Sequence, residues 1–209
     1  MIPPMRALSV TKQGGVAEVE LLGPGKGNAM GPDFWAECPG VFRDLDKDDD
    51  VRAVIVRGSG KHFSFGLDLM GMMEQLAPHL MGSPSAKQRT KLLDYIAELQ
   101  ASTNAVAECR KPVIAAVHGA CIGGGVDLIS ACDVRLASQD AYFSIREVKV
   151  GMVAGSHPSF VLFFFVDFVG RSWNAATNLQ DHERFKCKSD GVFWRRFRFS
   201  LFSLFSFSS

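Results

Sequence analysis

The sequence predicts an α/β fold built as a spiral of ββα units. Three observations predict it. Short β-branched runs at Val16–Leu22, Val51–Val56 and Val113–Val117 read as strands. Apolar residues at helical spacing follow them, most clearly between Ser85 and Arg110. Glycine-rich turns punctuate the chain between these stretches.

Each element follows in order. Val16–Leu22 alternates in its first half and is broken by GPGKGNAMGPD. Asp33 is expected to cap a helix through Phe34, Trp35 and Cys38. The acidic run Asp44–Asp50 reads as a solvated helix end or loop. Strand Val51–Val56 leads into the turn Gly58–Gly60. HFSFGLDLMGMMEQL passes from extended to helical at Gly66. The helix over Ser85–Arg110 carries Leu92, Leu93, Ile96, Leu99 and Val106 and ends before Pro112. Val113–Val117 is a buried strand and Gly124–Ala131 a short helix. Asp133–Leu136 and Ala141–Ile145 are further strands.

The composition changes at Ala154/Gly155. Residues 155–209 hold 12 of the 17 phenylalanines and end in the low-complexity run FRFSLFSLFSFSS. The chain therefore divides into a core, 1–154, and a Phe/Ser-rich tail, 155–209. The tail reads as translation of a retained intron: Gly-Ser at its start fits an exon ending in G read into an intron beginning GTAGT, and the Phe, Ser and Leu of its end fit a pyrimidine-rich tract. The alternatives are a divergent C-terminal segment and a frameshift.

Charge and cysteines exclude several classes. A net charge of +1 points to neither nucleic acid nor an acidic membrane as partner. Five cysteines without CxxC or zinc-ligand spacing read as reduced thiols, and no metal site is expected. The apolar stretch Phe160–Val166 is too short to cross a bilayer. MIPPMRALSV has no secretory layout, and SFSS is no peroxisomal address. GPGKGN lacks the GxxxxGK[ST] pattern of a nucleotide loop. Lys12 and Lys61 are single basic residues that could meet phosphates.

The chemistry concentrates at two glycine motifs. In HFSFGLDL, Gly66 lets the chain bend so that the Leu67 amide points into a cleft. In CIGGGVDL, Gly123, Gly124 and Gly125 open a helix whose first amides are unpaired and favour negative charge. Two such amides facing each other make an oxyanion hole. By itself the triple glycine reads first as a tight turn for helix–strand packing. Asp127 lies one turn into that helix, and Glu147 follows the strand Ala141–Ile145. Together they offer a proton donor and acceptor. Alternatively, Asp127 serves the helix dipole and Glu147 is a solvent-facing strand end. His118 reads as a hydrogen-bonded core histidine, and His62 and His79 as surface residues. Met70, Met72, Met73 and Met81 read as an acyl-chain wall or as core packing.

KPVIAAVHGACIGGGVDL and HFSFGLDL together resemble the crotonase, or enoyl-CoA hydratase/isomerase, superfamily over about residues 6–154. The wording GGGVDLISACD is similar to its Δ3,5-Δ2,4-dienoyl-CoA isomerases. The resemblance implies a crotonase-like spiral, truncated here before the C-terminal helices that form trimers. It implies that the Leu67 and Gly124 amides hold an acyl-CoA thioester carbonyl. Phe65, Gly66, Asp68, Gly123 and Gly125 would line the substrate, and Asp127 and Glu147 would be catalytic. It further implies double-bond migration in a dienoyl-CoA during fatty-acid β-oxidation. Coenzyme A enters as part of the substrate, with no separate cofactor. A homotrimer or hexamer in a mitochondrion or peroxisome goes with the resemblance; the lack of a targeting signal in these residues leaves the cytoplasm open. The second carboxylate expected eight residues after Glu147 is replaced by Gly155, so impaired activity is expected. The alternatives are an enoyl-CoA hydratase and an inactive chain that binds CoA thioesters or partner subunits.

Overall fold

The strands sort into two sheets because each turn of the chain contributes one segment to each. The structure is a computed structural model. It describes residues 5–23, 27–80 and 85–146, and two short strands at 185–186 and 194–195. Glu147, Gly155, Met81 and Cys187 lie outside the described residues.

Among the described residues, the larger sheet has six strands, in the order β1 (Leu8–Gln13), β2 (Val16–Leu21), β3 (Ala53–Gly58), β4 (Val113–Val117), β6 (Val134–Ala137) and β9 (Trp194–Arg195). Its four central strands are parallel, with antiparallel strands at the two edges. The second sheet joins β5 (Ala120–Ile122) in parallel to β7 (Tyr142–Ser144), with β8 (Phe185–Lys186) antiparallel beside them. Two single-residue parallel bridges, Met30 to Leu67 and Ser64 to Cys121, belong to the same progression. Thus β2 is followed by Met30, β3 by Ser64 and Leu67, β4 by β5, and β6 by β7. Helices α1 (Pro32–Lys47), α2 (Leu69–Leu80), α3 (Ala86–Glu108) and α4 (Gly124–Ala131) close the turns. This is the spiral of ββα units expected from the sequence.

Alternation places the core on one face of the larger sheet. Val54, Val56, Val113, Ala115 and Val117 are buried, while Ile55, Ile114 and Ala116 point to the half-exposed face. Phe42 and Leu45 of α1, Val106 of α3 and Ile129 of α4 belong to the same buried cluster. Pro39 sits inside α1 and has no N–H for the carbonyl of Trp35. Ser102 Oγ of α3 donates to that carbonyl instead, at 3.3 Å. The helix thus continues to Lys47, well beyond Cys38.

Several boundaries differ from the sequence reading. Gly31, not Asp33, occupies the cap of α1 and makes no side-chain cap bond. Pro32 supplies the preset φ of a first helical residue, and Asp33 faces the positive end of the helix dipole. The third strand begins at Ala53 because Val51 N–H turns back to Asp48 O at 3.1 Å. Helix α2 begins at Leu69 rather than at Gly66. Asp68 caps it, its Oδ1 accepting from Gly71 N–H at 3.1 Å. Strands β1 and β5 are additions to the sequence reading.

Candidate active site

Gly66 stands where the chain leaves the second sheet for α2. Its φ of 79° lies in the left-handed region. A Cβ there would lie 2.6 Å from Ile122 O and 2.8 Å from Gly124 N. The two glycine motifs, almost sixty residues apart, therefore meet backbone to backbone. A Cβ built on Gly124 would lie 3.6 Å from Leu67 N and 3.5 Å from Met30 Sδ.

The directions of the two amides follow from their neighbours. Gly66 O accepts from Met30 N–H at 2.7 Å, and all described peptides are trans. A trans peptide sets its N–H opposite its C=O, so Leu67 N–H points away from Met30. On the other side, Gly123 has a φ of 51° and donates to Ser144 O at 2.8 Å, fixing the start of α4 to β7. Gly123 O accepts from Val126 N–H at 2.7 Å and Asp127 N–H at 3.3 Å. Gly124 N–H is left as an opening amide of the helix. Among the described residues, neither Leu67 N–H nor Gly124 N–H meets a protein acceptor. Two unpaired donors, beside a helix N-terminus, can accept developing negative charge on one oxygen.

The surrounding residues vary in what they offer. Asp127 is 5% exposed on the first turn of α4, with Leu128 to Ala131 buried after it. Burial pushes the Cys121 thiol well above its usual range, with Cys132 and then Asp127 adding to the shift. Gly125 packs tightly, since a Cβ on it would lie 3.1 Å from Ser64 Cβ. Phe65 is 37% exposed; its ring covers Gly27 and leans on His62 at a centroid distance of 5.0 Å. Asp68 is engaged as the cap of α2.

Other expectations land elsewhere. His118 is half-buried rather than in the core, with Nε2 2.9 Å from Gly60 O. It lines an open cavity of about 490 Å3 with Arg57, Leu136 and Ser138, and none of the amide-bearing residues lines it. His62 is half-buried, its Nδ1 accepting from Ala120 N–H at 3.1 Å. Met72 is fully buried and packs in the core, whereas Met70 is 85% exposed. Lys12 pairs with Asp48. The four described cysteines are buried, and none forms a disulfide among the described residues. No group of three or more His, Cys, Asp or Glu is placed to hold a metal among the described residues. No helix among them is long and apolar enough to cross a membrane.

Three residues at the site went unread in the sequence. Met30 fixes the Gly66 carbonyl, and Asn28 and Ser64 hold the loop before it. The one usable signal was Asn in a glycine-rich turn, since Asn tolerates positive φ.

The chain resembles several known proteins. The chain is 48% identical over 139 residues to the mitochondrial Δ(3,5)-Δ(2,4)-dienoyl-CoA isomerase of Mus musculus, covering 66% of this chain and 42% of that protein. It is 46% identical over 127 residues to the peroxisomal Δ(3,5)-Δ(2,4)-dienoyl-CoA isomerase of Arabidopsis thaliana, covering 61% of this chain and 46% of the relative. The chain thus spans less than half the length of these isomerases. The crystal structure of an enoyl-CoA hydratase from Shewanella pealeana superposes with a TM-score of 0.66 at 27% identity, over 88% of this chain and 64% of that one. The sequence model of the enoyl-CoA hydratase/isomerase family matches residues 11–177. With most of its length inside that match, the chain belongs to the enoyl-CoA hydratase/isomerase, or crotonase, family.

Proposed function

We propose that this chain derives from a dienoyl-CoA isomerase that moves two double bonds into conjugation with the thioester. One observation carries the reading: two backbone donors without a protein acceptor among the described residues, Leu67 N–H and Gly124 N–H, meet at the start of α4. In this reading the thioester carbonyl oxygen accepts from both. When a proton leaves C2 of a 3,5-dienoyl group, charge moves onto that oxygen as an enolate. Each donor stabilises it by about 3–4 kcal/mol. Return of a proton at C6 yields the 2,4-diene, with no oxidant or reductant consumed. Glu147 and Asp127 are assigned to proton transfer, and Phe65, Gly66, Asp68, Gly123 and Gly125 to the substrate-facing surface. The names of the matched isomerases support this choice within the family.

The second carboxylate of the shuttle is expected at the position of Gly155, which holds no proton. The 209-residue chain is therefore a weak isomerase in this proposal, and residues 155–209 are a segment of separate origin, of which β8 and β9 pair with core strands. A homotrimer and a mitochondrial or peroxisomal setting belong to the same proposal.

The test follows ultraviolet absorbance of the conjugated diene with a 3,5-dienoyl-CoA. A version whose residues 155–209 are replaced by a family-like continuation starting with Asp should turn over; the natural chain should barely do so. Glu147→Gln in the active version should lower turnover by a factor of ~100 or more. Unchanged turnover would assign proton transfer to another group. Water addition without isomerisation would make the protein a hydratase.

A further inference from the structure

We propose that Ser64 is a positioning residue for the Leu67 amide, acting through a hydrogen-bond chain anchored on Asn28. The inference rests on the oxyanion-hole reading above. Ser64 is fully buried. Its Oγ accepts from Gly66 N–H at 3.0 Å and donates its one proton to Asn28 O at 2.8 Å. Asn28 is itself fixed. It is 6% exposed and has a φ of 51°, the one positive φ at a non-glycine among the described residues. Its Nδ2 donates to Ser59 O and His62 O, each at 2.8 Å, and its Oδ1 accepts from Ser59 Oγ at 2.8 Å.

Ser64 also touches the second donor's support. Its N–H donates to Ala120 O at 3.0 Å, and its carbonyl accepts from Ile122 N–H at 2.9 Å. Those residues lead directly into Gly123 and Gly124. The backbone of Ser64 therefore sets one loop against the other, while its hydroxyl sets the Gly66 turn. Gly66 has no side chain to restrict its two torsions, so its N–H bond to Ser64 Oγ and its C=O bond from Met30 together hold them. Without the hydroxyl, Gly66 N–H loses its partner, the peptide before Leu67 rotates, and Leu67 N–H swings off its line. Misplacing a reacting contact by about 1 Å costs up to ~100-fold in rate.

The test binds a conjugated 2,4-dienoyl-CoA to the full chain and reads the red shift that carbonyl polarisation gives its absorption. Ser64→Ala should bind the probe but lose about half or more of the shift. Ser64→Cys keeps the volume with a weak acceptor and should fall between, and it decides the matter if the alanine variant does not fold. Amide exchange at Gly66 should rise in both. In a version with turnover, kcat should drop by about tenfold with little change in KM, the mark of a contact made in the transition state. A full shift in the folded variants would overturn the role of Ser64 and leave the oxyanion hole intact. No shift in the natural chain would overturn the oxyanion hole, and this inference with it.

Discussion

In the proposed reading, the backbone itself is the reactive surface at Gly66 and Gly124. That is why glycine motifs rather than side chains marked the site in the sequence. Gly124→Pro separates the donor from the fold. Gly124 is the first residue of α4, where proline's fixed φ is compatible and its missing N–H breaks no helix bond. A Cβ there meets ordinary contacts at 3.5 Å and beyond. The variant should keep its far-ultraviolet circular dichroism while an active version loses about 100-fold or more in kcat. Retained turnover would mean that Gly124 N–H does not carry the charge. Ser64 and Asn28 were not readable in the same way. Their bond joins residues 36 positions apart, and no local pattern reports it. Glu147 was singled out from the strand before it, and the described residues stop one short of it.

Among the elements, those with local cause were legible. The bounds of β4 and α4 match the sequence reading, because Pro112 and the triple glycine mark their starts. Helix α3 was legible within two residues at each end. Ser85 caps it, accepting from Gln88 N–H at 3.4 Å, while Gln88 Oε1 accepts from Ser85 N–H at 2.8 Å. Ser85→Ala should therefore destabilise the fold by about 1 kcal/mol in denaturant unfolding. A change near zero would show that the cap adds nothing beyond solvent. Elements set by tertiary contact were missed. Strand β1 buries one end and exposes the other, so LSVTKQ shows no clean alternation. Strand β5 has three residues inside a glycine-rich stretch. Helix α1 passes Pro39 because Ser102, far along the chain, serves the freed Trp35 carbonyl.

At the scale of the whole molecule, the described surface carries large exposed apolar residues. Met70 is 85% exposed and Leu93 66% exposed, with Leu69, Met73 and Ile96 also exposed on α2 and α3. The tail adds 12 phenylalanines without a burying period. Exposed apolar side chains in such number favour self-association. Size-exclusion chromatography with light scattering should find aggregates for the natural chain and a discrete trimer for the version with a family-like continuation. A soluble, fully active trimer of the natural chain would make residues 155–209 a working segment. A crystal structure of the version with the family-like continuation, bound to a dienoyl-CoA, decides whether Leu67 and Gly124 share one carbonyl oxygen. The thioester oxygen should lie about 3 Å from both Leu67 N and Gly124 N. A thioester oxygen bound elsewhere, with both amides facing water, would contradict the account.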